Sequence, residues 1–168
     1  LLKRGHKLNT RTDTECLVHL YEEMGNDYLP LVTALRGMFA FALWDEPRRR
    51  LLLGRDRLGK KPLYYAQRGG SLYFSSELPS LLEGIKHSEG ALNLEIDLQA
   101  IDDYLSLQYV PEPLTPFKGI YKLPATHLLI WQDGQIKLER YWQLEYTPKW
   151  TISEEEAVEE LRRRLKEV

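Results

Sequence analysis

The sequence lacks the features that mark several large classes of protein. Of its 168 residues only Cys16 is a cysteine, which excludes an internal disulfide framework and, with four scattered histidines, a cysteine-based zinc site. No run approaches the ~18 apolar residues that a membrane-spanning helix needs. The formal net charge is −2 and the basic residues are interleaved with acids, so the composition gives no sign of a nucleic-acid surface.

The short motifs of many catalytic sites are missing as well. The chain contains no GxSxG, no phosphate loop of the GxxxxGK[ST] type, no HExxH and no CxxC. Cys16 falls inside a predicted helix and is interpreted as a small buried hydrophobe rather than a reactive thiol. The histidines occur in unrelated contexts and are interpreted as exposed or core residues: His6, His19, His87 and His127. Residue chemistry alone therefore predicts a soluble α+β domain without a recognisable catalytic constellation.

An apolar strand signal from Met38 to Asp45 is the most informative local pattern. Alternate residues point to opposite faces of a strand, and here both sets are apolar until the last residue. A strand with one face in water would alternate apolar with polar residues, so this one is expected to be covered on both faces. Together with the hairpin signals that follow, it favours two stacked sheets with helices outside them.

Helix signals occur along the whole chain. Thr12-Asp13-Thr14-Glu15 fits a capping box, apolar residues follow at helical spacing, and Gly25 ends the predicted helix. Asp13 is interpreted from this pattern as an acid in the first turn, where the helix dipole favours it. The other predicted helices are 28–35, one that starts near Ser76, 98–107 with Asp97 as its cap, and one that starts after Ser153.

Strand signals and turn signals alternate between these helices. The predicted strands after the first are 51–54, 63–67 and 72–75 across Gly69-Gly70, then 127–131 and 136–141 across Asp133-Gly134. Residues 85–94 are poor in apolar periodicity and predict a loop. We therefore divide the chain into residues 1–84, a linker at 85–95, and residues 96–168.

A dense set of charges, Arg55-Asp56-Arg57, follows the second apolar strand. Charges at the end of a buried strand need salt bridges or a function. We interpret this cluster as a salt-bridged turn rather than a ligand site.

Five motifs, in this order and near this spacing, resemble glutamine-hydrolysing asparagine synthetases. They are Thr12-Asp13-Thr14-Glu15, the run from Leu35 to Asp45, the run from Arg55 to Tyr65, Phe74-Ser75-Ser76-Glu77-Leu78, and a downstream set at 104–111, 117–124 and 140–142. The resemblance covers nearly the whole chain. It implies that residues 1–84 are the C-terminal half of a class II glutamine amidotransferase domain, part of an N-terminal-nucleophile αββα sandwich. It also implies that residues 96–168 are the first elements of an α/β ATP-pyrophosphatase-like synthetase domain.

The resemblance also says which functional residues to expect. In the family a cysteine at the mature N-terminus attacks the glutamine amide, its free α-amine can act as the base, and an Asn-Gly pair supplies the oxyanion hole. These groups and the SGGxDS pyrophosphate loop do not occur in this sequence, and Cys16 lacks a free α-amine. No catalytic residue and no metal ligand is therefore assigned. Asp13 matches the family's aspartate that pairs with the glutamine α-ammonium.

The function implied is that of an internal fragment, inactive by itself, of an enzyme that converts aspartate, glutamine and ATP into asparagine, glutamate, AMP and pyrophosphate. ATP and Mg²⁺ are expected in that parent enzyme, and the fragment is expected to bind no cofactor. We expect a cytoplasmic protein, without nucleic-acid or membrane partners, that forms a homodimer. Two alternatives stay open: a related amidotransferase with another acceptor, and a catalytically silent sandwich used for binding.

Overall fold

The computed structural model, which describes residues 1–25 and 27–167, contains two antiparallel sheets with helices against them. A short 3₁₀ helix at Leu2–Arg4 precedes five α-helices: α1 (Asp13–Met24), α2 (Leu29–Ala34), α3 (Leu78–Glu89), α4 (Leu98–Leu107) and α5 (Glu154–Glu167). The strands are β1 (Ala40–Asp45), β2 (Arg50–Arg55), β3 (Tyr64–Arg68), β4 (Ser71–Ser75), β5 (Tyr121–Lys122), β6 (His127–Gln132) and β7 (Gln135–Arg140). None of these helices is long and apolar enough to cross a membrane.

The larger sheet has the order β1-β2-β6-β7 and the smaller one β4-β3-β5. β2 is paired on both edges, since Leu52 lies opposite Leu43 of β1 and opposite Ile130 of β6. The two predicted hairpin turns at Gly69-Gly70 and Asp133-Gly134 are confirmed, and all four of these residues have the positive φ that such turns require.

Three apolar clusters stack the elements in layers. Leu52 packs with α1 and α2 on one face of the larger sheet, while its neighbour Leu53 packs with Leu63 and Tyr65 between the two sheets. A third cluster, which includes Ile85 of α3, covers the outer face of the smaller sheet. The order helix, sheet, sheet, helix confirms the expected sandwich, since the central strands of the two sheets are covered on both faces.

The expectation that the strand in residues 38–45 is buried on both faces is wrong for β1, whereas β2 is buried on both faces. Leu43 is 8% exposed, whereas Trp44 is 44% exposed; Met38, which was predicted to belong to the strand, lies before it and is 65% exposed. β1 is the edge strand of its sheet, and the smaller sheet lies over β2 and β6 rather than over the outer part of β1. The sequence pattern records what a strand can bury, not which neighbour covers it.

The predicted loop at 85–94 is wrong for its first half. Residues 85–89 are the last turns of α3, Ile85 is fully buried, and the helix ends at Gly90 with φ +75°. Ile85 continues the helical spacing of Leu78 and Leu81, but Gly84 and the polar residues around it weaken the pattern.

The pairing of β6 also differs from the predicted division of the chain. The β6–β7 hairpin, which follows residue 96, completes the larger sheet by pairing with β2, and Tyr121 of β5 lies opposite Tyr65 of β3. The observed packing therefore joins 1–84 to 96–140 across the predicted linker at 85–95. Local patterns predicted the hairpin correctly but carry no information on its partner strand. That a second domain starts in the remaining residues stays a prediction.

Two of the predicted N-caps form as expected. The Asp97 carboxylate accepts hydrogen bonds from the backbone N–H of Gln99 at 3.0 Å and of Ala100 at 3.3 Å. At α5 the Ser153 hydroxyl accepts from Glu156 N at 3.2 Å, and the Glu156 carboxylate accepts from Ser153 N at 2.8 Å, which is a complete capping box.

The capping box predicted at Thr12 is wrong, although the helix starts where it was expected. Thr12 is the N-cap residue but its side chain makes no capping hydrogen bond. The Glu15 carboxylate instead accepts from the backbone N–H of Asn9 and Thr10, both at 2.6 Å. Hydrogen bonds from the Thr10 side chain and from Asn9 N lower the pKa of Glu15 to about 2.

A glycine in β2 allows a close cross-strand contact with Phe41. Gly54 lies opposite Phe41, and a Cβ at Gly54 would lie 2.3 Å from a ring carbon of Phe41. We expect Gly54→Ala to lower the free energy of unfolding by roughly 1–3 kcal/mol, because the ring or the strand must move. Urea denaturation monitored by circular dichroism measures the change.

Gly84→Ala is the matched control, because nothing lies within 4 Å of a Cβ at this helical position. It should stabilise the protein by about 0.5–1 kcal/mol. Equal effects of the two substitutions would contradict the role given to the Phe41 contact.

Candidate functional site

A buried carboxylate organises the loop that follows β2. Asp56 is 1% exposed, and its carboxylate accepts hydrogen bonds from Leu58 N and Lys60 N, both at 3.1 Å, and from Lys61 N at 3.0 Å. Burial by itself would raise the pKa of Asp56, but the N–H groups of Lys61, Lys60 and Leu58 outweigh it and hold the pKa below its ordinary value. Gly59, with φ +61°, lets the backbone turn around the carboxylate.

The Arg55 guanidinium closes the same loop from the other side. It donates to Lys61 O at 2.8 Å, Gly59 O at 2.7 Å and Leu123 O at 2.5 Å, and it pairs with the Glu112 carboxylate. Glu112 accepts a further hydrogen bond from Ala125 N at 2.9 Å. A single buried cation thus holds three separate segments together.

Arg57 connects this loop to the segment before β1. Its guanidinium donates to Leu35 O at 2.7 Å and Thr33 O at 3.0 Å and lies 6.0 Å from the Tyr141 ring centroid. The Tyr141 hydroxyl in turn donates to Arg55 O at 2.7 Å. These contacts support a structural role for Arg55-Asp56-Arg57, but the predicted salt bridge is made by Arg55, whereas Asp56 and Arg57 bind backbone groups.

Two adjoining clefts lie at the start of β1, next to the network of Arg55, Asp56 and Arg57. Asp56 N donates to Phe39 O at 2.9 Å, which positions the entry of the strand. The clefts measure about 330 Å³ and 290 Å³ and share four lining residues: Asp13, Met38, Phe39 and Ala40. Arg36 lines the first cleft and Lys61 the second. Each cleft therefore contains one carboxylate and one cationic side chain.

Asp13 is the first residue of α1 and its side chain is exposed. Within residues 1–25 and 27–167 its carboxylate has no hydrogen bond and no ion pair to another side chain. Such a carboxylate is free to accept a charge-assisted hydrogen bond from an ammonium group.

The cysteine and the four histidines that were singled out from the sequence do not line the two clefts. Cys16 is partly buried within α1 and lines neither cleft. His87 lies on α3 and His127 at the start of β6. His6 and His19, in contrast, are in contact, with their Nδ1 atoms 3.1 Å apart, and sequence reasoning missed this pair.

The layered sandwich is first of all a fold shared with an amidotransferase of known structure. It is similar to a Bacillus subtilis enzyme solved as "glutamine phosphoribosylpyrophosphate (PRPP) amidotransferase … complexed with ADP and GMP", with a TM-score of 0.56 and 20% sequence identity. The similarity covers 85% of this chain and 25% of that chain. It supports the N-terminal-nucleophile type of fold.

Sequence comparison then identifies the family. The family model of the glutamine amidotransferase domain matches residues 1–142, and the chain belongs to this family. The match runs through β6 and β7 and so agrees with the observed sheet rather than with a boundary at 85–95.

The curated proteins that this chain matches include asparagine synthetases and an amidase. Asparagine synthetase [glutamine-hydrolyzing] 3 of Bacillus subtilis is 36% identical over 163 residues, which are 96% of this chain and 25% of that protein. Asparagine synthetase [glutamine-hydrolyzing] 1 of the same organism is 35% identical over 95% of this chain and 24% of its own length. Amidase chry2 of Gibberella zeae is 34% identical over 93% and 22%. The chain spans about a quarter of these relatives, and the resemblance to asparagine synthetases found from the motifs is confirmed.

We expect Asp56→Asn to lower the free energy of unfolding by roughly 1.5–3 kcal/mol. The amide oxygen can replace one carboxylate oxygen, but the amide nitrogen would then face the Lys61 N–H as a second donor. The depressed pKa of Asp56 also gives a pH dependence. Its stabilisation is complete above the ordinary aspartate pKa and is lost as the pH falls through the lower folded-state value.

Urea denaturation from pH 7 to pH 2.5 tests both effects. Asp56→Asn should be less stable at pH 7 and should lose less stability on acidification than the wild type. Asp133→Asn, in an exposed turn, is the matched control and should change stability by less than about 0.5 kcal/mol. Parallel pH profiles of Asp56→Asn and the wild type would contradict this assignment.

Proposed function

We propose that the chain is part of a glutamine-hydrolysing asparagine synthetase, to which it contributes a side chain that binds glutamine. The observation that carries the proposal is the 36% identity to such a synthetase over 96% of the chain. The two clefts beside Asp13 support it, because they share this carboxylate, which has no side-chain partner in the described part of the chain.

In this proposal the Asp13 carboxylate accepts hydrogen bonds from the glutamine α-ammonium group. A free amino acid carries one positive and one negative group, and each cleft offers one carboxylate together with Arg36 or Lys61. Such complementary charges fix the orientation of a zwitterion before any bond is broken. The role of this chain is therefore to bind and orient glutamine.

The chemical steps belong to other parts of the proposed synthetase. The resemblance assigns attack on the glutamine amide to an N-terminal cysteine, and Cys16 has neither a free α-amine nor a position in the clefts. We expect the 168-residue chain to be inactive by itself for this reason.

The residues present do not fit ATP and Mg²⁺. The sequence contains no SGGxDS run to bind pyrophosphate. Among the described residues one group of side chains is close enough to share a metal ion, and it contains two imidazoles, whereas Mg²⁺ prefers oxygen ligands. ATP and Mg²⁺ are therefore proposed for the rest of the synthetase, and no step is derived through them here.

For the whole protein we propose the conversion of aspartate, glutamine and ATP into asparagine, glutamate, AMP and pyrophosphate. A cytoplasmic location and a homodimer belong to the same proposal. They are supported by the resemblance alone.

Asp13→Asn in the intact protein should raise KM for glutamine by about 10-fold to 100-fold, since a charge-assisted hydrogen bond contributes roughly 1.5–3 kcal/mol. KM for free ammonia as the nitrogen donor should not change, because ammonia does not need the amino-acid site. Steady-state kinetics with each nitrogen donor measure the two constants. Asp102→Asn, an exposed residue of α4, is the control and should leave both unchanged. Equal losses with glutamine and ammonia would reject the proposed role of Asp13.

A second candidate function keeps the glutamine site and changes the acceptor. The similarity to amidase chry2 covers almost the same stretch at almost the same identity as that to the synthetases. Chains similar to this one can thus occur in proteins that do not carry the synthetase name.

Incubation of the intact protein with aspartate, ATP and glutamine separates these candidates. A synthetase should form asparagine and AMP in equal amounts. Glutamine hydrolysis without asparagine would favour another acceptor. Loss of both reactions would favour the catalytically silent sandwich and reject the two enzyme proposals.

A further inference from the structure

We propose that His6, His19 and Glu22 form a binding site for a divalent transition metal of the zinc class. His6 lies in the segment before α1, and His19 and Glu22 lie one turn apart on α1. The site is separate from the clefts beside Asp13, whose linings include none of these three residues.

The distances between the donor atoms match those of a zinc site. His6 Nδ1 and His19 Nδ1 are 3.1 Å apart, His19 Nδ1 and Glu22 Oε2 are 3.2 Å apart, and all three donor atoms lie within 4.8 Å of one another. Tetrahedral Zn²⁺ with bonds of about 2.0–2.1 Å to nitrogen and oxygen places its ligands about 3.3 Å apart. Small side-chain movements are therefore enough to place an ion between these atoms.

The outer nitrogen of each imidazole has a carboxylate beside it. His6 Nε2 is 2.9 Å from Glu23 Oε1, and His19 Nε2 is 3.7 Å from Glu15 Oε1. A histidine that binds a metal usually donates its other N–H to such a carboxylate, which leaves the inner nitrogen unprotonated. With Nε2–H directed at Glu23, the lone pair of His6 Nδ1 points towards His19.

The outer carboxylates are themselves held in place. Glu23 pairs with Arg4, and Glu15 accepts hydrogen bonds from two backbone N–H groups of the preceding segment. The two imidazoles pack edge to face with ring centroids 4.8 Å apart, and their side chains are 18% and 19% exposed. The surrounding residues thus hold the two imidazoles in place and cover most of their surface.

The charge of the cluster favours a divalent cation. Glu15, Glu22 and Glu23 contribute three negative charges and Arg4 one positive charge, which leaves a formal −2 around two neutral imidazoles. Imidazole ligands favour Zn²⁺, Co²⁺, Ni²⁺ and Cu²⁺ over Mg²⁺ and Ca²⁺. The Glu22 side chain is 60% exposed, so a water molecule can complete the coordination. Bound metal would tie the segment before α1 to the helix that begins with Asp13.

The alternative to a metal site is a pair of histidines joined by a hydrogen bond. If His19 Nδ1 carries a hydrogen, it can donate to Glu22 or to His6 Nδ1, and the cluster is then a hydrogen-bonded histidine pair without affinity for metal. The experiment must therefore distinguish a metal site from this pair.

Isothermal titration of the metal-free intact protein with Zn²⁺ alone tests the proposal. We expect one equivalent to bind. His6→Ala and His19→Ala should each weaken this binding at least about 100-fold, and Glu23→Gln by about 10-fold to 100-fold through the loss of its support to His6. His87→Ala removes an exposed histidine of α3 and is the matched control, with unchanged affinity.

Thermal unfolding with and without Zn²⁺ provides a second readout that does not depend on activity. Zn²⁺ should raise the Tm of the wild type and of His87→Ala, and not that of His19→Ala. Glu22→Gln and Glu23→Gln keep the side-chain volume and report on binding even if an alanine variant fails to fold. Absence of stoichiometric Zn²⁺ binding, or equal weakening by His87→Ala and His19→Ala, would overturn the proposal.

Discussion

The buried carboxylate of Asp56 is the constraint on which the candidate site depends. Its side chain binds three backbone N–H groups of its own loop, its backbone N–H binds Phe39 O, and its carbonyl oxygen accepts from Thr126 N at 3.1 Å. The start of β1, the loop after β2 and the start of β6 are therefore fixed by a single residue. Phe39 lines both clefts beside Asp13, so the hydrogen bond from Asp56 N to Phe39 O fixes part of their wall. A carboxylate this deeply buried needs hydrogen-bond donors to stabilise its charge, and the three backbone N–H groups of its loop supply them.

Much of the local structure could be predicted from the sequence. The bounds of α4, its Asp97 cap and the Gly69-Gly70 and Asp133-Gly134 turns agree with the structure, because propensity and hydrogen bonds over a few residues determine them. The layered arrangement was predicted from the apolar signal of residues 38–45 and the hairpin signals after it, although β1 itself is not covered on both faces. The partner of each strand could not be predicted in the same way, since the pairing of β2 with β6 depends on residues far apart in the chain.

The candidate site, too, could be predicted only where it depends on residues close together in the sequence. Asp13 was found because it lies in a contiguous motif, and its role in binding glutamine stays a prediction. The contact between His6 and His19 could not be found, because 13 residues and a change of element separate them. The role of Glu15 was misjudged for a related reason: a capping box is a local pattern, and the chain before the helix offered the carboxylate closer N–H donors.

The central position of β2 has a consequence for how the chain folds. Leu52 finds its partner Ile130 only after about 80 further residues, and closing so long a loop is costly in entropy. At typical rates of protein synthesis, those residues take roughly 4–16 s to appear on the ribosome. During that interval the β1–β2 hairpin has one apolar edge without a partner. Among the strand edges of this sandwich, the one that waits longest for its partner during synthesis therefore belongs to the most buried strand, β2.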